Sequence, residues 1–217
     1  MIVRQWMKTD PKTVTAETSI SAAVAKMKEW KIRRFPVVNA DNVVIGFLTE
    51  GDCLKASPSE ATLLSKHEVN YLLEQVKVKD VMSKKIISIS PDMLIEEAIL
   101  IMRNNSISGV PVVENGKLVG IITEADVFDS LITILGAGKP GIRMTLELDD
   151  RSGVLAEVAS LVSDRIGNIT SIAELHHNQN GKVYLLLRFS GGRTEADDIS
   201  KELEAKGHHV TSVHIVS

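Results

Sequence analysis

The chain has 217 residues, of which 44% are hydrophobic and 24% charged, with a formal net charge of −3. This composition is typical of globular proteins of one large or two small domains, and it excludes an electrostatic drive toward nucleic acid or anionic lipid. Cys53 is the single cysteine, so no intrachain disulfide can form. Because no apolar leader and no apolar run of about 18 residues occurs, the expected location is the cytoplasm.

The first 135 residues contain the same pattern twice. The stretch from Trp6 to Val38 aligns with the stretch from Val81 to Val113 at an offset of 75 residues. The phrase GFLTEGDC (46–53) then returns as GIITEADV (120–127) at an offset of 74. Repetition of this kind predicts two structural units with one architecture.

Each copy predicts the same order of elements. A short extended segment is followed by a helix with apolar residues at i, i+3, i+4 and i+7, and then by two strands around a tight turn rich in Asn, Asp and Gly. Ser19 is the predicted N-cap of the first helix. TEGD or TEAD begins a second helix in each copy. The predicted extended segments are Thr13–Thr15 and Ile86–Ile89, and the predicted strands are Phe35–Val38, Val43–Leu48, Val110–Val113 and Leu118–Ile122.

The rest of the chain predicts a different unit. Residues 58–77 connect the two copies, and Leu63, Leu64 and the run 71–73 indicate that the connection is partly helical. The glycine-rich GAGKPG (136–141) indicates a domain boundary. Residues 142–217 predict the order βαββαβ, an antiparallel ferredoxin-like sheet with two helices on one face. Its strands are predicted at 142–149, 169–176, 183–189 and 209–216. One helix is predicted within RSGVLAEVASLVSDRIG (151–167), where Leu155, Val158, Ala159 and Val162 have helical spacing, and a second helix around 196–203.

The T-x-x-D phrase suits a nucleotide at a strand-to-helix junction. A helix N-terminus presents unpaired backbone N–H groups that attract an anion. The Thr hydroxyl can bind a phosphate oxygen or cap the helix, and the Asp carboxylate can accept two hydrogen bonds from a ribose diol. One isolated T-x-x-D is more often a plain helix start. Two copies in the same context favour a binding site.

The order h-P-V-V, then G-h-h-T-x-x-D, repeated over residues 1–135, resembles a pair of CBS domains forming a Bateman module. The resemblance implies adenosine compounds (AMP, ADP, ATP or S-adenosylmethionine) as regulatory ligands between the repeats. It also implies that each site combines the Thr and Asp of one repeat with the early segment and pre-P-V-V residues of the other. One implied site contains Thr123, Asp126, Lys12, Ile32, Arg33 and Arg34, and the other contains Thr49, Asp52, Ser108 and Gly109.

The two implied sites differ in charge. Arg33 and Arg34 stand where phosphates would lie in the first site, and no arginine stands at the matching positions of the second. The Asp126 site is therefore expected to bind a nucleotide better. A solvated helix end is the alternative role for the two arginines.

The stretch LELDDRSGVLAEVASLVSDRIGNITSI resembles the start of an ACT domain, with Ser152 where proline is usual. The resemblance implies a small metabolite, such as an amino acid, near the first loop. The candidate contacts are Asp150, Gly153, Asn168 and Ile169. The alternative is that Gly153 and Asn168 only form turns and that the domain only dimerises.

The sequence thus predicts an α+β protein with tandem CBS repeats at 1–57 and 78–135, joined by 58–77, a linker at 136–141 and an ACT domain at 142–217. No convergent acid, base and nucleophile is evident, so neither catalysis nor a metal is expected. The domain order resembles that of the acetoin utilisation proteins, which implies a homodimeric sensor that signals to a metabolic enzyme. A ligand-free dimeric interaction scaffold is the alternative.

Overall fold

The computed structural model describes residues 1–56, 74–166, 168–177 and 181–216. The chain divides into two compact units, Met1–Val127 and Phe128–Ser217. The division falls inside the helix Glu124–Ile134. Leu63, Leu64 and the run 71–73, which predicted a partly helical connection, lie outside the described residues.

The first repeat begins with a 3-10 turn at Val3–Gln5. The predicted N-cap is confirmed, because Ser19 Oγ accepts a hydrogen bond from the Ala22 N–H at 3.2 Å. A left-handed residue, Lys31, ends the helix that follows. The elements of this repeat are β1 (Lys8–Thr9), α1 (Ile20–Trp30), β2 (Arg34–Val38), β3 (Val44–Thr49) and α2 (Glu50–Ala56).

The second repeat has the same helices and hairpin, so both predicted hairpins are confirmed. The early extended segments pair with the hairpins only at single parallel bridges, Val14 with Val37 and Ile89 with Val112. Each bridge has two backbone hydrogen bonds. The elements of this repeat are α3 (Val78–Val81), α4 (Ile95–Asn104), β4 (Gly109–Glu114), β5 (Lys117–Thr123) and α5 (Glu124–Ile134).

The segment that leads into each repeat pairs with the hairpin of the other repeat. In β1, Lys8 lies opposite Ile121 of β5, and 75 residues later Ser83 lies opposite Phe47 of β3. These leading segments are thus exchanged between the repeats, and the exchange includes core residues. Val3 is buried in the core of the second repeat and Val78 in the core of the first. The two repeats therefore hold each other in register.

This exchange explains the glycine in the repeated phrase. A Cβ on Gly120 would lie 2.7 Å from Sδ of Met7, and a Cβ on Gly46 would overlap Sδ of Met82. Each glycine therefore leaves room for a methionine from the segment that crosses it.

The second unit confirms the predicted ferredoxin-like order. Its antiparallel sheet has the order β7-β8-β6-β9, and the apolar residues of β6 face the helices. The alternation of Ile142, Met144, Leu146 and Leu148 is what places them on that buried face. The elements are β6 (Gly141–Asp149), α6 (Val154–Ile166), β7 (Ile169–His177), β8 (Lys182–Phe189), α7 (Arg193–Ala205) and β9 (His209–Val216).

None of the helices in the described ranges is long and apolar enough to cross a membrane. No group of three or more His, Cys, Asp or Glu side chains in those ranges is arranged to hold a metal ion.

Candidate functional site

The T-x-x-D phrase of the first repeat forms a reciprocal cap at the start of α2. Asp52 Oδ2 accepts hydrogen bonds from the Thr49 N–H at 2.9 Å and from the Thr49 hydroxyl at 2.6 Å. The Asp52 N–H in turn donates to Thr49 Oγ1 at 3.2 Å. The Thr49 hydroxyl is therefore used in the helix cap, and its hydrogen bond to Oδ2 holds the Asp52 carboxylate in place. The other oxygen, Oδ1, carries no hydrogen bond or ion pair to any described residue.

In the second repeat the aspartate accepts the same two hydrogen bonds from its threonine, but its other oxygen has a different neighbour. Asp126 Oδ2 accepts from the Thr123 N–H at 2.8 Å and from its hydroxyl at 2.6 Å. Here the other oxygen, Oδ1, lies 3.3 Å from Nζ of Lys8, and Asp126 is only 5% exposed. Both oxygens of this carboxylate are therefore engaged.

A cavity of about 200 Å³ lies beside Asp52, between the two repeats. The first repeat contributes the end of β3 and the start of α2. The second contributes the segment after α3 and the turn between α4 and β4. The lining residues are Arg34, Phe47, Thr49, Asp52, Ser83, Lys85, Ile87, Ser106, Ile107, Ser108, Gly109 and Pro111. The structure thus brings together all four residues that the sequence assigned to this site.

Arg34 adds a positive charge to the lining of the Asp52 cavity. The sequence assigned this residue to the Asp126 site, but its side chain lines the Asp52 cavity together with Lys85. It lies against Gly109, where a Cβ would be 2.9 Å from Cδ of Arg34. Removal from water lowers the pKa of Arg34, and the charges of Glu124 and then Asp126 oppose that shift. The guanidinium therefore lies between the two sites, with the Asp52 cavity on one side of it.

The other three residues predicted for the Asp126 site have contacts within the first repeat. Nζ of Lys12 lies 5.5 Å from the ring centroid of Trp30. Ile32 and Arg33 line a second cavity of about 420 Å³ on the first repeat, between α1 and α2. No contact in the described part of the chain joins these three side chains to Asp126.

That second cavity also contains the single cysteine. Cys53 is buried at its base, and burial raises the pKa of the thiol to about 11. The thiol is therefore protonated at neutral pH and is a poor nucleophile.

Several residues around the two aspartates were not predicted from the sequence, and four of them come from the segments that lead into each repeat. Ser83, Lys85 and Ile87 belong to the early segment of the second repeat, and Lys8 holds Asp126. A signal was present, since the offset of 75 that pairs Lys12 with Ile87 also pairs Lys8 with Ser83.

The four candidate residues of the ACT unit lie at two ends of one helix. Asp150 and Gly153 precede α6, where Gly153 has a left-handed φ of +87°. Asn168 and Ile169 follow the end of α6. Because α6 has 13 residues, its ends are about 20 Å apart. One subunit therefore does not bring the four residues together.

Family profiles match both units. The CBS domain matches residues 3–59 and 78–133, and the TTHA0829-like ACT domain matches residues 140–214. The chain belongs to the CBS-domain family, as a tandem CBS pair followed by an ACT domain.

Known relatives match mainly the CBS pair. An uncharacterized Methanocaldococcus jannaschii protein, MJ1426, is 30% identical over 155 residues, which are 61% of this chain and 92% of that protein. The crystal structure of a Vibrio cholerae protein assigned to acetoin utilization (AcuB) is similar with a TM-score of 0.53 and 26% identity, covering 63% of this chain and 93% of that one. The CBS pair of MJ0100, solved with 5′-methylthioadenosine and S-adenosyl-L-methionine, has a TM-score of 0.51 and 23% identity, covering 60% and 99%.

Proposed function

We propose that this protein is a non-catalytic regulatory sensor that binds an adenosine compound in the Asp52 cavity. The observation that carries the proposal is the convergence of Thr49 and Asp52 with Ser108 and Gly109 around one cavity between the repeats. The MJ0100 pair holds adenosine compounds, which indicates what the fold can accommodate. The choice of site here rests on this chain's own residues.

The chemistry of the cavity suits a nucleoside with an anionic group. Oδ1 of Asp52 is available to accept hydrogen bonds from the 2′- and 3′-hydroxyls of a ribose, and Thr49 holds the carboxylate in place. Ile87 and Ile107 provide apolar surface for a base. Arg34 and Lys85 provide positive charge for a phosphate or a carboxylate. The volume is below the roughly 300–1,000 Å³ usual for small-molecule sites, so part of a nucleotide would extend beyond the cavity.

The Asp126 site is proposed as the weaker of the two. A ligand diol there would have to displace Lys8 from Oδ1 of Asp126. This order is the reverse of the one expected from the sequence. We reverse the expected order of affinity because the Arg34 side chain lines the Asp52 cavity and because Lys8 pairs with Asp126.

The ACT unit is proposed to act in a homodimer. A ligand site that uses Asp150 and Gly153 together with Asn168 and Ile169 would need two subunits, because α6 separates the two pairs. Such a site would suit a small metabolite such as an amino acid. Occupancy of either unit would shift the protein between two states only by the difference in the ligand's affinity for them. A metabolic enzyme would read that shift, with acetoin utilisation as the pathway implied by resemblance.

The experiment is calorimetric titration of AMP, ADP, ATP and S-adenosylmethionine into the full chain and into two matched variants. Asp52→Asn removes the acceptor but keeps its shape, and it should weaken binding of the preferred ligand at least about tenfold. Asp126→Asn is the control at the equivalent position, and it should leave the tighter binding event within about threefold of the wild type.

Two results would argue against this proposal. Equal losses in both variants, or a loss only in Asp126→Asn, would move the ligand away from the Asp52 cavity. No heat and no thermal stabilisation with any of the four compounds would favour the ligand-free scaffold. Circular dichroism melting curves of both variants establish that each is folded.

A further inference from the structure

The sheet face of the second unit that lies opposite the helices has a row of basic and polar residues. Strand register places Arg143 of β6 directly opposite Arg188 of β8. The row continues to His214 of β9 on one side and to Ser171 of β7 on the other. Neighbours of this kind on one face lie about 5 Å apart at Cβ, and like charges directly opposite each other are destabilising.

Within the part of the chain that the structure describes, neither arginine has an acidic partner. No carboxylate in the described ranges lies within 4.0 Å of Arg143 or Arg188. The register places Glu147 four residues along β6 from Arg143, about 13 Å away, where it accepts a hydrogen bond from the Tyr184 hydroxyl at 2.9 Å. The positive charge of the row is therefore not balanced by a neighbouring acid.

Arg188 is the unusual member of the row, because it is only 8% exposed. Its Nη1 donates to the Lys139 carbonyl at 2.8 Å, while its buried Nε has no hydrogen-bond partner among the residues that the structure describes. A buried guanidinium with an unused donor is costly unless something supplies an acceptor. The Lys139 carbonyl accepts one hydrogen bond from Arg188, but it does not balance the positive charge of Arg143.

A cavity of about 160 Å³ lies against these two arginines. Ser171 also lines it, and the remaining lining is apolar, from Leu135, Ala137, Ala173, Leu186 and Leu187. At about 30 Å³ for each water in the liquid, the space corresponds to about five waters. An occupant therefore has an anionic end and a short apolar end.

We propose that this cavity binds a short-chain carboxylate, with the carboxylate held by Arg143 and Arg188. Arginine recognises a planar carboxylate through two parallel N–H···O bonds, and a chain of two or three carbons would lie on the apolar lining. An amino acid is disfavoured because its ammonium group would meet two cations and no acid. This site is separate from the CBS cavity and from the loop before α6.

The experiment is titration of propionate into the ¹⁵N-labelled full chain, followed by the guanidinium Nε–H resonances of Arg143 and Arg188. Both resonances should shift and saturate. Propionamide, alanine and inorganic phosphate are the comparison probes, and none of them should match propionate. Arg143→Gln should weaken propionate binding at least about tenfold, whereas the exposed and distant Arg193→Gln should leave it unchanged.

Several results would overturn the proposal. These are no saturating shift with propionate, an equal response to propionamide or alanine, tighter binding of phosphate, and unchanged affinity in Arg143→Gln. Arg188→Lys keeps the charge but loses the planar fork, and it should also weaken binding. If that variant does not fold, Arg143→Gln still decides the outcome, because Arg143 lies on the exposed surface.

Discussion

The two T-x-x-D sites of the CBS pair have the same internal geometry and different surroundings. In each, one carboxylate oxygen of the Asp accepts hydrogen bonds from the backbone N–H and the hydroxyl of the Thr. Opposite Asp126 stands Lys8, which binds the second oxygen. The residue at the equivalent place opposite Asp52 is Ser83, which leaves that oxygen facing a cavity. In both repeats, T-x-x-D orients the Asp carboxylate. The residue that the other repeat places beside it, Lys8 or Ser83, determines whether a ligand can reach its second oxygen.

The same comparison applies at the start of the two hairpins. Arg34 and Gly109 occupy equivalent positions, 75 residues apart, and they lie against each other. Only one large side chain fits where the two strands begin. Arg34 therefore extends across Gly109 into the Asp52 cavity, and the pair is asymmetric for a steric reason.

The largest effect is expected from a substitution that separates the exchanged segments. In Gly120→Ala, the new Cβ would lie 2.7 Å from Met7 Sδ and 3.0 Å from the Lys8 carbonyl oxygen, so the backbone of β1 must move. We expect a loss of about 1–3 kcal/mol in the free energy of unfolding, measured by urea denaturation. Gly46→Ala should cost less, because its Cβ meets only the flexible side chain of Met82.

The control for this substitution is Gly51→Ala in α2. Its Cβ would meet only Thr49 Oγ1, at 3.7 Å, an ordinary contact. Alanine is also the better helix former, so this variant should be stabilised by up to about 1 kcal/mol. If Gly120→Ala were as stable as the wild type, the exchanged segment would not be held against β5 as described.

A smaller effect is expected from Gly109→Ala, which tests the asymmetry of Arg34. The new Cβ would displace the Arg34 side chain from its place over Gly109, and the flexible side chain can move. Stability should change by less than about 1 kcal/mol. Calorimetric affinity for AMP or ATP should fall several-fold, about 1 kcal/mol, while unphosphorylated adenosine should bind as before. An equal loss for adenosine would mean that Arg34 does not serve a phosphate.

The smallest effect is expected from Lys8→Ser, which gives the Asp126 site the residue of the Asp52 site. The ion pair involves a largely exposed lysine, and such pairs contribute about 0.2–1 kcal/mol. The weaker binding event should therefore tighten by no more than about fivefold in a calorimetric titration. Lys26→Ser, which removes the same charge from α1, should leave both events unchanged. A loosening of the weaker event in Lys8→Ser would show that Lys8 assists the ligand.

Much of the fold could be predicted from local pattern. The alternation in β6 and the period of the helices predicted the ferredoxin-like unit, and the Asn- and Gly-rich turns predicted both hairpins. The pairing of β1 with β5 could not be predicted in the same way. A two-residue strand has no periodicity of its own, and its partner lies more than 100 residues away.

Four residues of the Asp52 site could be predicted from the sequence, but the direction of the Arg34 side chain could not. Thr49, Asp52, Ser108 and Gly109 meet as the repeat implied. The direction of Arg34 depends on the absence of a side chain at Gly109, a long-range steric fact that no local pattern contains. The pairing of Arg143 with Arg188 likewise depends on strand register, which the spacing of residues in one strand does not determine.

The most direct test is a crystal structure of the full chain with its preferred adenosine compound at a concentration that fills only the tighter site. We expect one ligand per chain between the repeats, with its ribose hydroxyls on Asp52 and with Lys8 still paired to Asp126. A ligand held by Asp126, with Lys8 displaced and the Asp52 cavity empty, would contradict this expectation.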